Sequence, residues 1–395
     1  MRVIVNELQS LKQKAGIGHY TAELLRWLPA LAAPDRIDGF PTGWVRSATA
    51  ACFRAGGRMT QGDASATPKA ALVGFVRDRW QGFLAGRFRQ ACAVGRYDLY
   101  HEPNYLPMPA DCPTVATLHD LSVLLHPQWH PADRVHRFEE QLPQVLSRCV
   151  HFLADTEAVR REVIQHLGVA PERITRVYMG IRPDLQPLPP ETVQRELARH
   201  GLPPRYLLCL GTIEPRKNVL RLLRIYCSLP ESVRQRWPLL LVGGWGWNAS
   251  EVAQYLHDEA QPRGVLHLGY VADDSLPVLY NGARALVFPS YYEGFGLPPL
   301  EMMACGGAVL ASTAAALQET VAGQACLVPP EDDDGWRAAL LRVTTDDDWH
   351  RTLCQGATAV ARPFTWQRTA AETLRVYRRL CGSELEVTTP HRRAG

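Results

Sequence analysis

Two carboxylates stand eight positions apart in the segment Ala285-Leu286-Val287-Phe288-Pro289-Ser290-Tyr291-Tyr292-Glu293-Gly294-Phe295-Gly296-Leu297-Pro298-Pro299-Leu300-Glu301. An apolar run enters a glycine-flanked loop, and Pro298-Pro299 start a helix where proline's missing N–H costs nothing. A helix N-terminus preceded by glycines is an anion site. The amides of Gly296 and Leu297 can point at a phosphate with the helix dipole behind them. Glu293 lies in the loop and Glu301 in the first helical turn, so one can face a sugar while the other reaches a ribose.

A second segment, Leu208-Cys209-Leu210-Gly211-Thr212-Ile213-Glu214-Pro215-Arg216-Lys217-Asn218, also runs from a strand through a loop to a helix. Of the 43 basic residues only Lys12, Lys14, Lys69 and Lys217 are lysines, so a lysine inside a folded segment is a candidate for work that arginine cannot do. A compact ammonium with three donors suits one crowded phosphate oxygen, and Arg216 beside it supplies a second cation. A third segment, Thr114-Val115-Ala116-Thr117-Leu118-His119-Asp120-Leu121-Ser122, delivers His119 and Asp120 at the C-terminal end of a strand, where open α/β sheets bind ligands. His119 is either a ligand-facing side chain or a structural histidine. Asp120 is the weaker candidate as its partner, because adjacent residues in a turn need not touch.

Three glycine stretches are less specific. Gly16-Ile17-Gly18 is a bare G-x-G about ten residues beyond its strand, which does not support a dinucleotide fingerprint. Gly243-Gly244-Trp245-Gly246-Trp247 and Gly269-Tyr270-Val271 each follow a further strand. Close approach to a ligand and plain tight-turn geometry are both open for all three.

These segments need a scaffold. Val3 to Val5, Thr114 to Leu118, His151 to Ala154, Ile174 to Val177, Tyr206 to Leu210, Leu239 to Val242, Val265 to Leu268 and Ala285 to Phe288 read as buried strands alternating with helices. That alternation predicts parallel sheets covered on both faces. The first helix carries Leu24, Leu25, Leu28 and Leu31 on one side. Prolines crowd residues 183–204, which marks a boundary. The expected organisation is an α/β domain over 1–183, a Pro-rich linker over 184–204, a second α/β domain over 205–365, a helix over 366–382 and a flexible tail over 383–395. Trp366, Ala370, Leu374, Tyr377 and Leu380/Cys381 give that last helix one apolar face.

A length of 395 residues and 46% apolar content fit a globular protein of two or three domains. No apolar run nears the ~20 residues of a membrane-spanning helix. No signal-peptide pattern follows Met1, so a cytoplasmic protein is expected. The ten cysteines show no C-x-x-C pair and read as small buried hydrophobes. A formal net charge of +3 does not imply nucleic acid. The acidic runs Glu331 to Asp334 and Asp346 to Asp348 read as solvated loops and helix caps, and no D-x-D motif sits in a strand-end loop, so no metal is expected. Residues 69–96 hold Lys69, Arg77, Arg79, Arg87, Arg89 and Arg96 against the single acid Asp78, with Phe75, Trp80, Phe83 and Phe88 interleaved. Such a stretch either touches the acidic lipid of an inner membrane face peripherally or is a partly exposed helix whose aromatics belong to the core.

On the Glu293–Glu301 loop the chain resembles the glycosyltransferases of family 4, retaining enzymes whose signature is two glutamates separated by seven residues. The resemblance implies the GT-B fold, two Rossmann-like domains facing across a cleft, 1–183 on the acceptor side and 205–365 binding the nucleotide sugar, with a C-terminal helix crossing back. It implies that Glu293 bonds the donor sugar, Glu301 the ribose hydroxyls, and Lys217 with Arg216 the diphosphate. It further implies that His119 reaches the donor sugar, that Gly16 and Gly18 line the cleft, and that the backbone at Tyr270 and Val271 meets the base. The family's frequent Arg after the strand glycine is Thr212 here. His-Asp-Leu-Ser, Glu-Pro-Arg-Lys-Asn and Tyr-Glu-Gly-Phe-Gly-Leu-Pro look most like bacterial mannosyl- and rhamnosyl-type enzymes of lipopolysaccharide or exopolysaccharide synthesis. The resemblance therefore implies a metal-independent hexosyltransferase without a cofactor, a nucleotide-diphosphate sugar as co-substrate with GDP-mannose favoured, and a glycan or polyprenyl-linked acceptor. A UDP- or dTDP-sugar transferase and a GT-B sugar-nucleotide 2-epimerase are the alternatives.

Overall fold

The computed structural model describes residues 1–11, 16–57, 68–321 and 323–382. Twelve strands form two six-stranded sheets: β1 Arg2–Asn6, β2 Arg36–Phe40, β3 Leu99–Glu102, β4 Thr114–Leu118, β5 Cys149–Ala154, β6 Ile174–Arg176, β7 Tyr206–Leu210, β8 Leu239–Val242, β9 Val265–Gly269, β10 Ala283–Phe288, β11 Ala308–Ser312 and β12 Cys326–Val328. The strand order is β2-β1-β3-β4-β5-β6 in one sheet and β12-β11-β10-β7-β8-β9 in the other. The registered pairings run parallel. Parallel strands are covered on both faces, so β4, β8 and β11 are buried along their whole length.

By packing, the chain divides into one unit of Met1–Thr117, Ser147–Leu153 and Gln367–Gly395, and another of Leu118–Leu146 and Ala154–Trp366. In the first unit Val3, Ile4 and Val5 are at most 1% exposed, as are Leu24 and Leu28 of the helix Gly16–Ala32; Leu25 and Leu31 lie at its half-buried margin. The helix Trp366–Leu380 brings Tyr377 into this unit, where its hydroxyl bonds His101 Nδ1 at 2.6 Å. His101 Nε2 meets Thr117 Oγ1 at 2.8 Å, and Thr117 meets the Tyr20 hydroxyl at 3.1 Å. A second buried knot joins β1 to β3: Glu102 Oε2 accepts from Asn6 Nδ2 and from the Tyr100 hydroxyl, both at 2.6 Å. Such polar groups are tolerated inside because they are paired.

The second unit is built around β7 to β12. The proline-crowded stretch contains a helix, Pro190–Arg199, whose Val193 and Leu197 join the core with Leu208, Leu286 and Met303. Both acidic runs cap helices: Asp332 accepts from the Gly335 amide at 2.9 Å and Asp346 from the Trp349 amide at 2.8 Å. No helix of the described residues is long and apolar enough to cross a membrane.

Candidate active site

Chain order in the second sheet decides where a ligand can sit. From β7 the chain winds outward through β8 to β9, then returns to β10 on the other side of β7 and winds outward through β11 to β12. The loops after β7 and β10 therefore leave neighbouring strands in opposite directions, which opens a crevice at their carboxyl ends. The two segments singled out by chemistry are these two loops.

After β7 a tight turn, Pro215–Lys217, is followed by Asn218 in the left-handed conformation at φ 57°. The Asn218 side chain fastens this turn to the neighbouring loop by donating to the carbonyl of Pro289 at 3.2 Å and of Pro330 at 3.0 Å. The Tyr291 amide donates to the Arg216 carbonyl at 2.8 Å. The ammonium of Lys217 thus meets Glu293 Oε1 at 2.6 Å, and Arg216 Nη1 meets Glu293 Oε2 at 3.0 Å. Arg216 Nε also donates to Glu214 Oε1 at 2.5 Å, and Lys217 Nζ lies 4.8 Å from the centre of the Phe288 ring. Glu293 is 7% exposed. Burial pushes its carboxyl upward, but Lys217 and Arg216 outweigh that and hold it below its ordinary range. Arg216 is raised despite burial, because Glu293, Glu214 and Asp120 all favour its charge.

Two glycines in the Glu293 loop are required by close approach. A Cβ on Gly294 would fall 1.9 Å from the carbonyl oxygen of His119, and one on Gly296, at φ 88°, would fall 2.3 Å from Leu317 Cδ2. Leu297 opens the helix Leu297–Ala304. Phe295, 4% exposed, packs its ring edge-on to Phe364 at 5.8 Å, so its side chain is an anchor of the loop. Glu301 is the fifth residue of the helix, one turn deeper than the sequence reading placed it. Its Oε2 accepts from the Tyr280 hydroxyl at 2.6 Å, and burial raises its carboxyl although Tyr280 and Arg182 oppose the rise.

His119 follows β4 at the same face of the structure as this loop, since its carbonyl lies against Gly294. Its ring partner is Asp155, one residue beyond β5, at 2.6 Å from Nδ1. Asp120 is instead a turn-former, accepting from the Ser122 amide at 2.9 Å and hydroxyl at 2.7 Å. The Tyr292 hydroxyl donates to Glu162 Oε2 at 2.5 Å and accepts from the Leu121 amide at 3.0 Å. Thr156 Oγ1 donates to the Gly294 carbonyl at 2.9 Å.

Asp155, Glu214, Tyr292 and Glu162 were not read from the sequence. Asp155 carries a usable signal, a polar residue directly past a parallel strand, and Glu214 carries only its place in the Glu-Pro-Arg-Lys-Asn stretch. Tyr292 and Glu162 carry none, being 130 positions apart.

The remaining sequence candidates stand on other elements. Gly16 and Gly18 belong to the first unit, where they form the first turn of a helix rather than a loop. Tyr270, 52% exposed, and Val271, half-buried, follow the edge strand β9. A Cβ on Gly243 would fall 2.0 Å from the Gly211 carbonyl oxygen, so the glycine-rich loop after β8 lies directly on the loop after β7. Among the described residues no group of three or more His, Cys, Asp or Glu side chains is placed to hold a metal ion.

Comparison with known proteins agrees with this arrangement. Residues 16–185 match the family model "Glycosyltransferase Family 4", and residues 192–358 match "Glycosyl transferases group 1". The chain is 35% identical over 326 residues to O-antigen chain mannosyltransferase B of Escherichia coli, covering 80% of this chain and 85% of that protein. It is 30% identical to the serotype-specific mannosyltransferase WbdA of the same organism, but spans only 36% of its length. Among solved structures, the sucrose-phosphate synthase of Thermosynechococcus elongatus aligns at a TM-score of 0.72 and 21% identity, covering 97% of this chain and all of that one. WaaG, a glycosyltransferase involved in lipopolysaccharide biosynthesis, aligns at 0.68 and 16%, covering 95% and 99%. These likenesses give the fold as GT-B, and with the Glu293–Lys217–Arg216 cluster at the sheet's crevice, the chain belongs to glycosyltransferase family 4.

Proposed function

We propose that this enzyme transfers a mannose- or rhamnose-type hexose from a GDP-sugar to a glycan or polyprenyl-linked acceptor, with retention, in bacterial surface polysaccharide synthesis. The observation that carries the reading is the paired contact of Glu293 with Lys217 and Arg216, in a chain 35% identical to an O-antigen chain mannosyltransferase. Lys217, Arg216 and the helix N-terminus at Gly296-Leu297 stabilise the departing diphosphate, as preorganised donors stabilise developing charge. Glu293 then faces the sugar, His119 its far side, and Glu301 the ribose. Cations and dipole supply what a metal supplies elsewhere, so transfer is expected to survive EDTA, and its loss on chelation refutes that part. Retention with no obvious second nucleophile among these motifs favours departure and attack on one face of the sugar over a covalent intermediate. An inverted product, seen by NMR, refutes retention.

A thermal-shift panel with GDP, UDP, dTDP and ADP at equal concentration tests the donor, since ligand at 100 times its Kd adds about 2.7 kcal/mol. A selective GDP shift is expected. A selective UDP or dTDP shift transfers the reading to those sugars; HepE of Anabaena, crystallised with UDP-glucose, shares the fold at a TM-score of 0.68. Isomerised UDP-sugar in an acceptor-free assay marks a 2-epimerase instead.

The same reading places the enzyme at the inner membrane face. Trp44, 64% exposed, packs on Phe83 with ring centres 6.0 Å apart. A groove of about 380 Å³ beside them is lined by Phe40, Val45, Arg87 and Val94. Arg87 and Arg89 are exposed, and no acidic residue occurs from Arg79 to Arg96, so the patch complements an anionic lipid surface. Of the stretch 69–96, the side chains of 69–78 and of residue 81 lie outside the described residues. Vesicles containing phosphatidylglycerol are expected to sediment the protein at low salt and to release it in the variant Trp44→Ala/Arg87→Ala; equal sedimentation of both refutes the patch.

A further inference from the structure

His119 and Asp155 are each the first residue past a strand, on β4 and β5, which are neighbours in their sheet. Adjacent parallel strands lie about 4.8 Å apart, so side chains one step beyond their ends meet without any loop having to fold back. The pair is correspondingly fixed: Asp155 is 2% exposed, His119 is 6% exposed, and Nδ1 to Oδ2 is 2.6 Å. The backbone on either side is fixed too. Thr156, next to Asp155, accepts from the Val159 amide at 3.2 Å and donates to the Gly294 carbonyl, while the His119 carbonyl packs on Gly294 itself. The dyad is therefore tied at both members to the residue that follows Glu293.

We propose that Asp155 is a positioning residue for transfer: by accepting the Nδ1 proton of His119 it fixes the tautomer and rotation of the ring, so that Nε2 is the nitrogen presented to the donor sugar. A carboxylate is acceptor-only, so the proton on Nδ1 is the one the pair requires. Nε2 then serves a sugar hydroxyl. Asp120 is engaged otherwise: its Oδ1 accepts from the amide and hydroxyl of Ser122. Burial pushes the Asp155 carboxyl upward, the nearby Asp120 adds to the rise, and His119 is the group that opposes it. A buried pair kept only for stability gains little over apolar packing, whereas a second residue that fixes a histidine's tautomer has a direct effect on the group it serves. The inference rests on the reading that His119 faces the donor sugar.

The test uses the full chain with GDP-mannose, reading its hydrolysis to GDP, together with GDP binding by calorimetry and the ring nitrogens of His119 by ¹⁵N NMR, assigned by difference from His119→Ala. Asp155→Ala is expected to lower turnover about 10- to 100-fold, the usual effect of losing an orienting partner, with GDP affinity within about twofold of wild type. In the His119→Ala background it is expected to add less than about twofold, because the residue it positions is gone. The ring of His119 is expected to show a protonated Nδ1 in wild type and a mixture of tautomers in Asp155→Ala. Equal loss in both backgrounds, or an unchanged ring tautomer, overturns the proposal. If Asp155→Ala does not fold, Asp155→Asn is measured instead: its amide oxygen can still accept, so a retained Nδ1 proton with turnover above that of His119→Ala supports the proposal, and an Nε2-protonated ring with wild-type turnover overturns it. A His119→Ala enzyme as fast as wild type defeats both this inference and the role of His119. Wild-type protein that ignores GDP and GDP-mannose defeats the donor reading, and the ring signals, which need no ligand, then decide the assignment of Asp155.

Discussion

Replacing Glu293 by glutamine is expected to tighten the binding of GDP while slowing transfer. The carboxylate takes one bond from Lys217 at 2.6 Å and one from Arg216 at 3.0 Å, in a site where it is 7% exposed. A hydrogen bond to a charged group contributes about 1.5–3 kcal/mol net, so these two form the principal hold on both cations. A diphosphate needs the same N–H groups, and its affinity is lowered by whatever part of those bonds it displaces. Glutamine keeps the shape and an acceptor oxygen but not the charge. If it forfeits about half of the two bonds, roughly 1.5–3 kcal/mol is returned to the ligand, a Kd about 10- to 150-fold lower. Without ligand the variant is expected to melt lower, because Lys217 loses its carboxylate while Arg216 keeps Glu214 at 2.5 Å. GDP should therefore raise the melting temperature of Glu293→Gln by more than that of wild type. Turnover should fall about 100-fold or more, as for removal of one preorganised polar group from a reacting centre. Calorimetric titration with GDP and donor hydrolysis, run on both proteins, measure the two effects separately. Unchanged or weaker GDP binding by a folded Glu293→Gln refutes the idea that this carboxylate and the diphosphate share one set of donors.

Lys217→Ala is expected to weaken GDP about 10- to 100-fold with an unaltered circular dichroism spectrum, and equal affinity would remove Lys217 from the diphosphate site. Glu301→Gln is expected to weaken GDP but leave inorganic pyrophosphate unaffected. Because the buried Glu301 carboxyl is raised, the native protein gains stability from it at acid pH and loses that gain as pH rises through the folded value; Glu301→Gln should therefore melt above wild type at pH 8, with the gap closing towards pH 5, and a gap that widens on acidification refutes the shift. Tyr377→Phe, which removes the 2.6 Å bond to His101, is expected to cost about 1 kcal/mol in urea unfolding without changing GDP affinity; a changed affinity would mean that the helix Trp366–Leu380 acts on the donor site.

Strands announce themselves when their own residues are apolar enough. β1 and β4 to β10 are such runs and are read to within a residue or two at most ends. β2 and β3 are not, and β11 and β12, although apolar, are short runs that the sequence reading does not single out. β2 contains Asp38 and Gly39, and β3 ends in His101-Glu102, a polar pair that no hydrophobic pattern would place in a core. β3 is nevertheless buried throughout, because Tyr377, 276 positions away, satisfies His101, and Asn6, 96 positions away, satisfies Glu102. A strand whose burial depends on distant partners has no local signature.

The site divides along the same line. Lys217, Arg216, Glu293 and His119 were visible singly, because lysine scarcity, glycines and strand ends are local facts. What they do to one another was not visible. Lys217 and Glu293 are 76 positions apart and meet because the chain leaves β7 in one direction and returns to β10 on the other side. Had the strand order been known, the meeting would follow from it: at a switch point the two loops cannot be covered by one crossover, so polar groups at their ends are left facing each other. Asp155 follows by the same reasoning from the adjacency of β4 and β5, whereas residue spacing offered Asp120, the neighbour in sequence, as the partner of His119. The missing step from residues to chemistry was thus the order of strands within each sheet, and a sequence reading that proposes that order first, then asks which polar residues stand one position beyond adjacent strands, would have found the dyad.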